Sequence, residues 1–189
     1  GIVRMAVWRR VLRQKAPALG TRPLPRQEIQ AAGMISLVDD DSGVLEATAG
    51  LLRSLGYDVK SFDSGHELLN WSGLAETCCV ISDVRMPGID GFELQRRLVL
   101  LGFRSPVIFL TALTEQAARE RLLRAGAYDV LSKPCSEHRL VACLQAALEH
   151  RQRRHRTHHL LQPGPAPKLG DEHRFDDAAP QRPQHPPGS

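Results

Sequence analysis

No uninterrupted apolar stretch in the chain approaches the roughly 18 to 20 residues that a bilayer-spanning helix needs, and the first residues contain no apolar segment followed by a small-residue cleavage site. A membrane span and a secretory leader are both set aside, and a cytoplasmic location is the expectation. Cysteine is sparse: Cys78, Cys79, Cys135 and Cys143 have none of the spacings of a structural zinc site or a redox motif. They read as buried thiols in a reducing compartment. Acids are almost missing from residues 1–33, where Glu28 alone faces Arg4, Arg9, Arg10, Arg13, Lys15, Arg22 and Arg26. With Pro17, Pro23 and Pro25 interrupting any long helix, that stretch is expected to be a disordered basic extension, and Met34 is a plausible native start.

What is present is one domain's worth of core. A chain of 189 residues with a hydrophobic fraction of 42% accommodates one well-buried domain plus appendages. The net charge of +4 conceals a division: Lys and Arg against Asp and Glu give +6 for residues 1–33, −5 for 34–149 and +3 for 150–189. The expected organisation is an acidic domain over 34–150, followed by a tail over 151–189 that is basic, then rich in proline and histidine, and mostly disordered.

From Met34 onward, short β-rich runs alternate with helical periods, the pattern of βαβ units and a parallel sheet. Five such repeats fit before residue 150. A first helix is predicted from about Ser42, as N-cap, to Leu55, with Leu45, Leu52 and Leu55 on one side and Gly56 as its stop. A strand over Val59 to Phe62 and a short helix through Leu68 and Leu69 follow. Cys78 to Ser82 is as continuously apolar as a strand covered on both faces. The next helix carries Phe92, Leu94, Leu98 and Leu101. After a strand over Val107 to Leu110, a helix runs from about Glu115 to Arg124, and a strand contains Val130 and Leu131. The last helix begins at an N-cap on Ser136, repeats Leu140, Leu144 and Leu148, and carries Arg151, Arg153, Arg154 and Arg156 in the same helical phase.

Four of the predicted strands end on polar residues able to share one chemistry. Asp39 and Asp40 follow Ile35 to Val38, Asp83 ends the run Val80-Ile81-Ser82, Thr111 follows Val107 to Leu110, and Lys133 follows Val130 to Ser132. This set, with Lys133-Pro134 and the Asp83-Val84-Arg85-Met86-Pro87 wording, closely resembles the response-regulator receiver domain of two-component signalling, nearest to receivers of FixJ-like transcriptional regulators. The resemblance covers about residues 34–150. It implies an α/β, flavodoxin-like, doubly wound five-stranded parallel sheet of order 2-1-3-4-5 with five helices, flanked by disordered tails.

In that order the first and third strands meet at the switch point, where ligands bind outside the carboxyl ends of the strands. Asp39, Asp40 and Asp83 then share one crevice. Two unit charges about 4 Å apart repel by roughly 4 kcal/mol at an effective dielectric near 20, so three carboxylates call for a hard divalent cation, most naturally Mg²⁺. The resemblance implies that Asp83 is the nucleophile that takes a phosphoryl group, and that the Arg85 main-chain carbonyl joins the metal ligands. It also implies that Val84 and Ala112 offer backbone N–H groups to the phosphoryl oxygens, and that Lys133-Pro134 is cis. Lys133 as a point charge and Thr111 as a hydroxyl donor suit the charge spread over three transferred oxygens. Asp41 and Asp90 are read as helix-start or turn residues, and His66 and His138 as residues of solvated helix faces.

The family usually places an aromatic residue three positions before the lysine, where its rotamer follows the threonine; here Val130 stands there. Tyr128, two residues earlier, is expected on the same side by strand alternation. Cys135 replaces a common Phe. A sensor histidine kinase is the implied partner, and a homodimer through the fourth-helix, fifth-strand and fifth-helix face is an available mode. The residues after His150 lack paired helical periods with a turn, so the expectation is a stand-alone receiver; a truncated FixJ-like regulator is the alternative. Nucleic-acid binding through the basic ends is the less favoured reading, because no aromatic residues are interleaved among the arginines. A turnover phosphatase with an aspartate nucleophile would want a second acid two residues later, where Arg85 stands, so no enzyme activity is expected.

Overall fold

The computed structural model describes residues 33–112 and 115–160. The expectations for the basic N-terminal extension and for the tail beyond Leu160 fall outside these residues. The strands are β1 (Met34–Val38), β2 (Val59–Phe62), β3 (Thr77–Asp83), β4 (Val107–Thr111) and β5 (Asp129–Ser132). They alternate with helices α1 (Ser42–Ser54), α2 (Gly65–Asn70), α3 (Gly91–Leu100), α4 (Gln116–Arg124) and α5 (Glu137–Leu160), and a 3₁₀ turn at Leu74–Glu76 precedes β3.

All strand pairs are parallel, as the sequence pattern predicts, and their order is β2-β1-β3-β4-β5, as the family resemblance implies. The central strand β3 is buried along its whole length, which is why it shows no polar alternation. Its inner residues serve two cores. On one face Ile35, Leu37, Ile81, Ile108 and Leu131 pack against Val44 and Leu52 of α1 and Leu140, Leu144 and Leu148 of α5. On the other, Val38, Val80, Phe109 and Val130 meet Leu68 of α2, Leu94 and Leu98 of α3 and Leu122 of α4. The period of four in α5 is therefore its buried stripe, and each fully buried leucine contributes about 1.5–3 kcal/mol. Among the polar residues that enter these layers, Ser36 Oγ and Thr77 Oγ1 pair at 2.7 Å, whereas Thr48 Oγ1 and Gln95 Oε1 are buried with no hydrogen-bond partner.

Several local expectations change. The N-cap of α1 is Asp41 rather than Ser42: its carboxylate accepts from the N–H groups of Gly43 and Val44, so Ser42 enters the first turn. The buried stripe of α1 is Val44, Thr48, Ala49 and Leu52, while Leu55 lies past the helix end and is 38% exposed. Leu101 likewise falls at the C-cap of α3, outside the stripe of Leu94, Gln95 and Leu98. Asp90 and Ser136 cap α3 and α5, accepting from the N–H groups of Glu93 and Arg139. Helix α5 continues across residue 150 to Leu160, so the first part of the expected tail is helical. Tyr128 precedes β5, where alternation does not yet apply; it packs on the α5 side beside His150, opposite Val130.

Candidate functional site

Parallel strands align their carboxyl ends, and the register carries the polar residues to one rim. Val38 lies opposite Ser82, Asp83 opposite Leu110, and Thr111 opposite Ser132, so the residues at or just beyond β1, β3, β4 and β5 face the same crevice. Asp39 follows β1, Asp83 and Thr111 end β3 and β4, and Lys133 follows β5. All four are buried, whereas Asp40 is exposed. Lys133 Nζ donates to Asp39 Oδ2 at 2.7 Å and stands 3.2 Å from Asp83 Oδ1. One ammonium thus bridges the carboxylates of two adjacent strands.

Local chain geometry holds these groups in place. The backbone N–H of Asp41 donates to Asp39 Oδ1 at 3.0 Å, and the N–H of Lys133 donates to the Thr111 carbonyl at 2.7 Å. The Lys133-Pro134 bond is cis. After Asp83 the chain turns through Pro87 and Gly88, the latter at φ +78°, and returns so that the Gly91 N–H donates to the Val84 carbonyl at 2.8 Å. A Cβ on Gly91 would sit 2.8 Å from Val84 Cα and 2.9 Å from the Phe109 ring. Glycine lets α3 start this close to the end of β3.

The electrostatics of the crevice are unbalanced. Burial raises the carboxyl of Asp39, with Lys133 opposing and Asp40 adding to the rise. Burial likewise raises Asp83; Lys133 opposes, Asp39 adds, and the neighbouring Val84 N–H dipole lowers it. Three carboxylates against one ammonium leave a net −2 at one rim. Oxygens of Asp39, Asp40 and Asp83 lie within 4.8 Å of one another, and Asp83 Oδ1 is buried with no hydrogen-bond partner, its approach to Lys133 being an ion pair without hydrogen-bond alignment. Clustered hard oxygens with an unsatisfied buried acceptor fit a divalent cation.

The other predicted residues lie on the adjoining connections. Val84 is buried directly after Asp83, Arg85 is exposed beside it, and Ala112 is exposed after Thr111. Val130 is 2% exposed, and with Thr111, Ala118 and Leu122 it lines a cavity of about 50 Å³ on the α4 side. None of the described residues lining that cavity is aromatic. Two features have no counterpart in the sequence reading. Phe92, with the Arg121 guanidinium 4.4 Å above its ring, lines an open cleft of about 780 Å³ that reaches Asp40 and Arg85. Arg119 of α4 pairs with Asp129 at 2.8 Å and also donates to the Val130 carbonyl, while Cys143 of α5 donates to the same carboxylate. These partners are brought together by the packing of α4 and α5 on β5, so no local spacing announces them.

The model of the response regulator receiver domain family matches residues 35–145. The chain belongs to the response-regulator receiver family. Over 138 residues this receiver is 38% identical to the response regulator protein TmoT of Ectopseudomonas mendocina, a match that covers 73% of the chain and 61% of that protein. It is 34% identical over 116 residues to the transcriptional regulatory protein FixJ of Bradyrhizobium diazoefficiens, covering 61% of the chain and 57% of FixJ. Among solved structures, the BeF3-activated DrrB receiver domain superposes with a TM-score of 0.57 at 31% identity, over 62% of this chain and 97% of that one. The receiver thus matches an isolated receiver domain almost end to end. It spans about three fifths of the length of the curated relatives named here. No described helix is long and apolar enough to cross a membrane.

Proposed function

We infer that this receiver is a phosphorylation-controlled switch in which Asp83 accepts a phosphoryl group from a sensor histidine kinase. The observation that carries the reading is the Lys133 ammonium set between the buried carboxylates of Asp39 and Asp83, with Asp83 Oδ1 lacking a hydrogen-bond donor. Asp39, Asp40 and Asp83, with the main-chain carbonyl of Arg85, would hold Mg²⁺, which when bound supplies neutralisation of the carboxylates and polarisation of phosphoryl oxygens. An Asp83 oxygen attacks phosphorus and forms an O–P bond; the P–N bond to the donor imidazole breaks, and its electron pair returns to the ring nitrogen. Charge on the transferred oxygens is met by Lys133, the Thr111 hydroxyl and the N–H groups of Val84 and Ala112.

Arg85 occupies the position where an aspartate-nucleophile phosphatase would carry its general acid, which supports a switch over a turnover enzyme. Buried free thiols at Cys78, Cys79 and Cys135 suit a reducing cytoplasm. With Val130 in place of an aromatic, the readout runs through backbone and α4 movement about Thr111, and the face formed by α4, β5 and α5 is the surface that changes for a partner or a second copy. Incubation with acetyl phosphate and Mg²⁺ tests the assignment. The native chain takes up one phosphoryl group and Asp83→Asn takes up none; full labelling of Asp83→Asn defeats it.

A further inference from the structure

A second concavity lies at the amino ends of β4 and β5, away from the carboxylates. This groove of about 590 Å³ runs between the end of α3, the connections before β4 and β5, and α5 from His150 onward. Leu98, Phe103, Pro106 and Tyr128 line it. Val99, at its edge, is 55% exposed and leads to Leu100 and Leu101 at 71% and 63%. Among the described residues the exposed large apolar side chains are Leu55 and these three consecutive residues, of which Val99 lines the groove. An apolar run joined to a groove marks an interaction surface.

The rim of the groove is basic. Arg104, Arg151 and Arg154 line it, and none of its described lining residues is acidic. Arg151 is fixed there by donating from Nε to Ser105 Oγ at 3.1 Å, while Arg104 and Arg154 are exposed. Buried Gln95, also at the groove, gives its Nε2 hydrogen to the Ala125 carbonyl and has no partner for Oε1. The complementary occupant is a segment rich in acids around an apolar anchor.

The chain carries such a segment itself. Outside the described residues the acids are Glu28 and the group Asp171, Glu172, Asp176 and Asp177, which brackets Phe175, the only aromatic side chain after residue 160 other than histidine. Residues 171–177 count four acids against Arg174, a net −3. Helix α5 ends at Leu160, six residues and so about 9 Å beyond Arg154 at the helical rise. Residues 161–170 span at most about 33 Å when extended, ample for a return to the groove.

We propose that residues 171–177 dock in this groove of their own chain, with Phe175 against Leu98, Phe103 and Tyr128 and the flanking carboxylates on Arg104, Arg151 and Arg154. Tethering sets the effective concentration of the segment in the millimolar range, so a weak intrinsic affinity suffices. The docked segment covers the apolar end of α3 and the basic side of α5 together. It thereby ties access to the arginine-rich helix end to the charge of the segment and to ionic strength.

Hydrogen exchange of the full chain at low salt, read by mass spectrometry, is the test. In the native chain, amides of 97–106 and 148–154 should exchange about fivefold more slowly than in Phe175→Ser or in the Asp176→Asn, Asp177→Asn double variant, and high salt should remove the difference. Arg104→Glu with Arg154→Glu should lose the protection, and adding Asp176→Lys with Asp177→Lys should restore it. Equal exchange in the native chain and Phe175→Ser overturns the proposal. So does protection that rises with protein concentration, which would assign the groove to the segment of a second copy.

Discussion

Removing the charge of the candidate phosphoacceptor should make the metal-free receiver more stable. In Asp83→Asn the side chain keeps its shape while the charge is lost. At an effective dielectric near 20, Lys133 at 3.2 Å attracts the Asp83 charge by about 5 kcal/mol. Asp39 and Asp40, with oxygens no farther than 4.8 Å, each repel it by about 3.5 kcal/mol or more. The two repulsions exceed the attraction by about 2 kcal/mol, a surplus that solvent around exposed Asp40 reduces and burial of Asp83 restores. The expected gain is about 1–2 kcal/mol near pH 7, or roughly 3 to 10 °C in Tm for a domain of this size. Its pH dependence has a definite sign. Because the folded carboxyl is raised above 3.8, the cost of the charge is absent below that pH and grows as pH rises through the folded value. Calorimetry in a chelating, low-salt buffer at pH 4 and pH 7 measures both effects. Titration with Mg²⁺ to about 100 times its Kd should then add about 2.7 kcal/mol to the native chain and less to Asp83→Asn, reversing their order. A lower Tm for Asp83→Asn in chelator, or a gain that shrinks between pH 4 and pH 7, would refute the reasoning.

Lys133→Met leaves Asp39 and Asp83 without their shared cation, and urea denaturation at pH 7 should show a loss of about 3–5 kcal/mol that lessens as acid protonates the raised carboxyls. Gly91→Ala forces a methyl group against Val84 Cα and the Phe109 ring, with an expected loss of about 1–3 kcal/mol in the same assay. Asp41→Ala removes the cap of α1 and should lower stability by about 1 kcal/mol, whereas Ser42→Ala, inside the first turn, should have little effect.

Strand-end chemistry was readable because it depends on a local event, an apolar run stopping on a polar residue, repeated along the chain. Asp39, Asp83, Thr111 and Lys133 each announce themselves in this way, and parallel pairing then needs no further information to align them. The misread cap at α1 had a local origin too. Asp41 and Ser42 are both good caps, and the choice rests on which backbone leaves the extended region first. Tyr128 was misplaced for a different reason: alternation holds only within a strand, and β5 begins one residue later.

The order of elements, the parallel sheet and the identity of the polar residues at its rim follow from the sequence alone, because apolar period and turn chemistry are properties of neighbouring residues. Tertiary structure decided which charges are buried and how they pair. The Lys133 bridge between Asp39 and Asp83 joins residues far apart in the chain, and the same packing buries Asp83 Oδ1 without a hydrogen-bond partner. The same holds for the link from Arg119 through Asp129 to Cys143, and for the groove that sets the end of α3 beside α5. Distance and dielectric exist only once the elements have packed. The sequence therefore names the reactive groups, and the packed fold sets the energies at which they act.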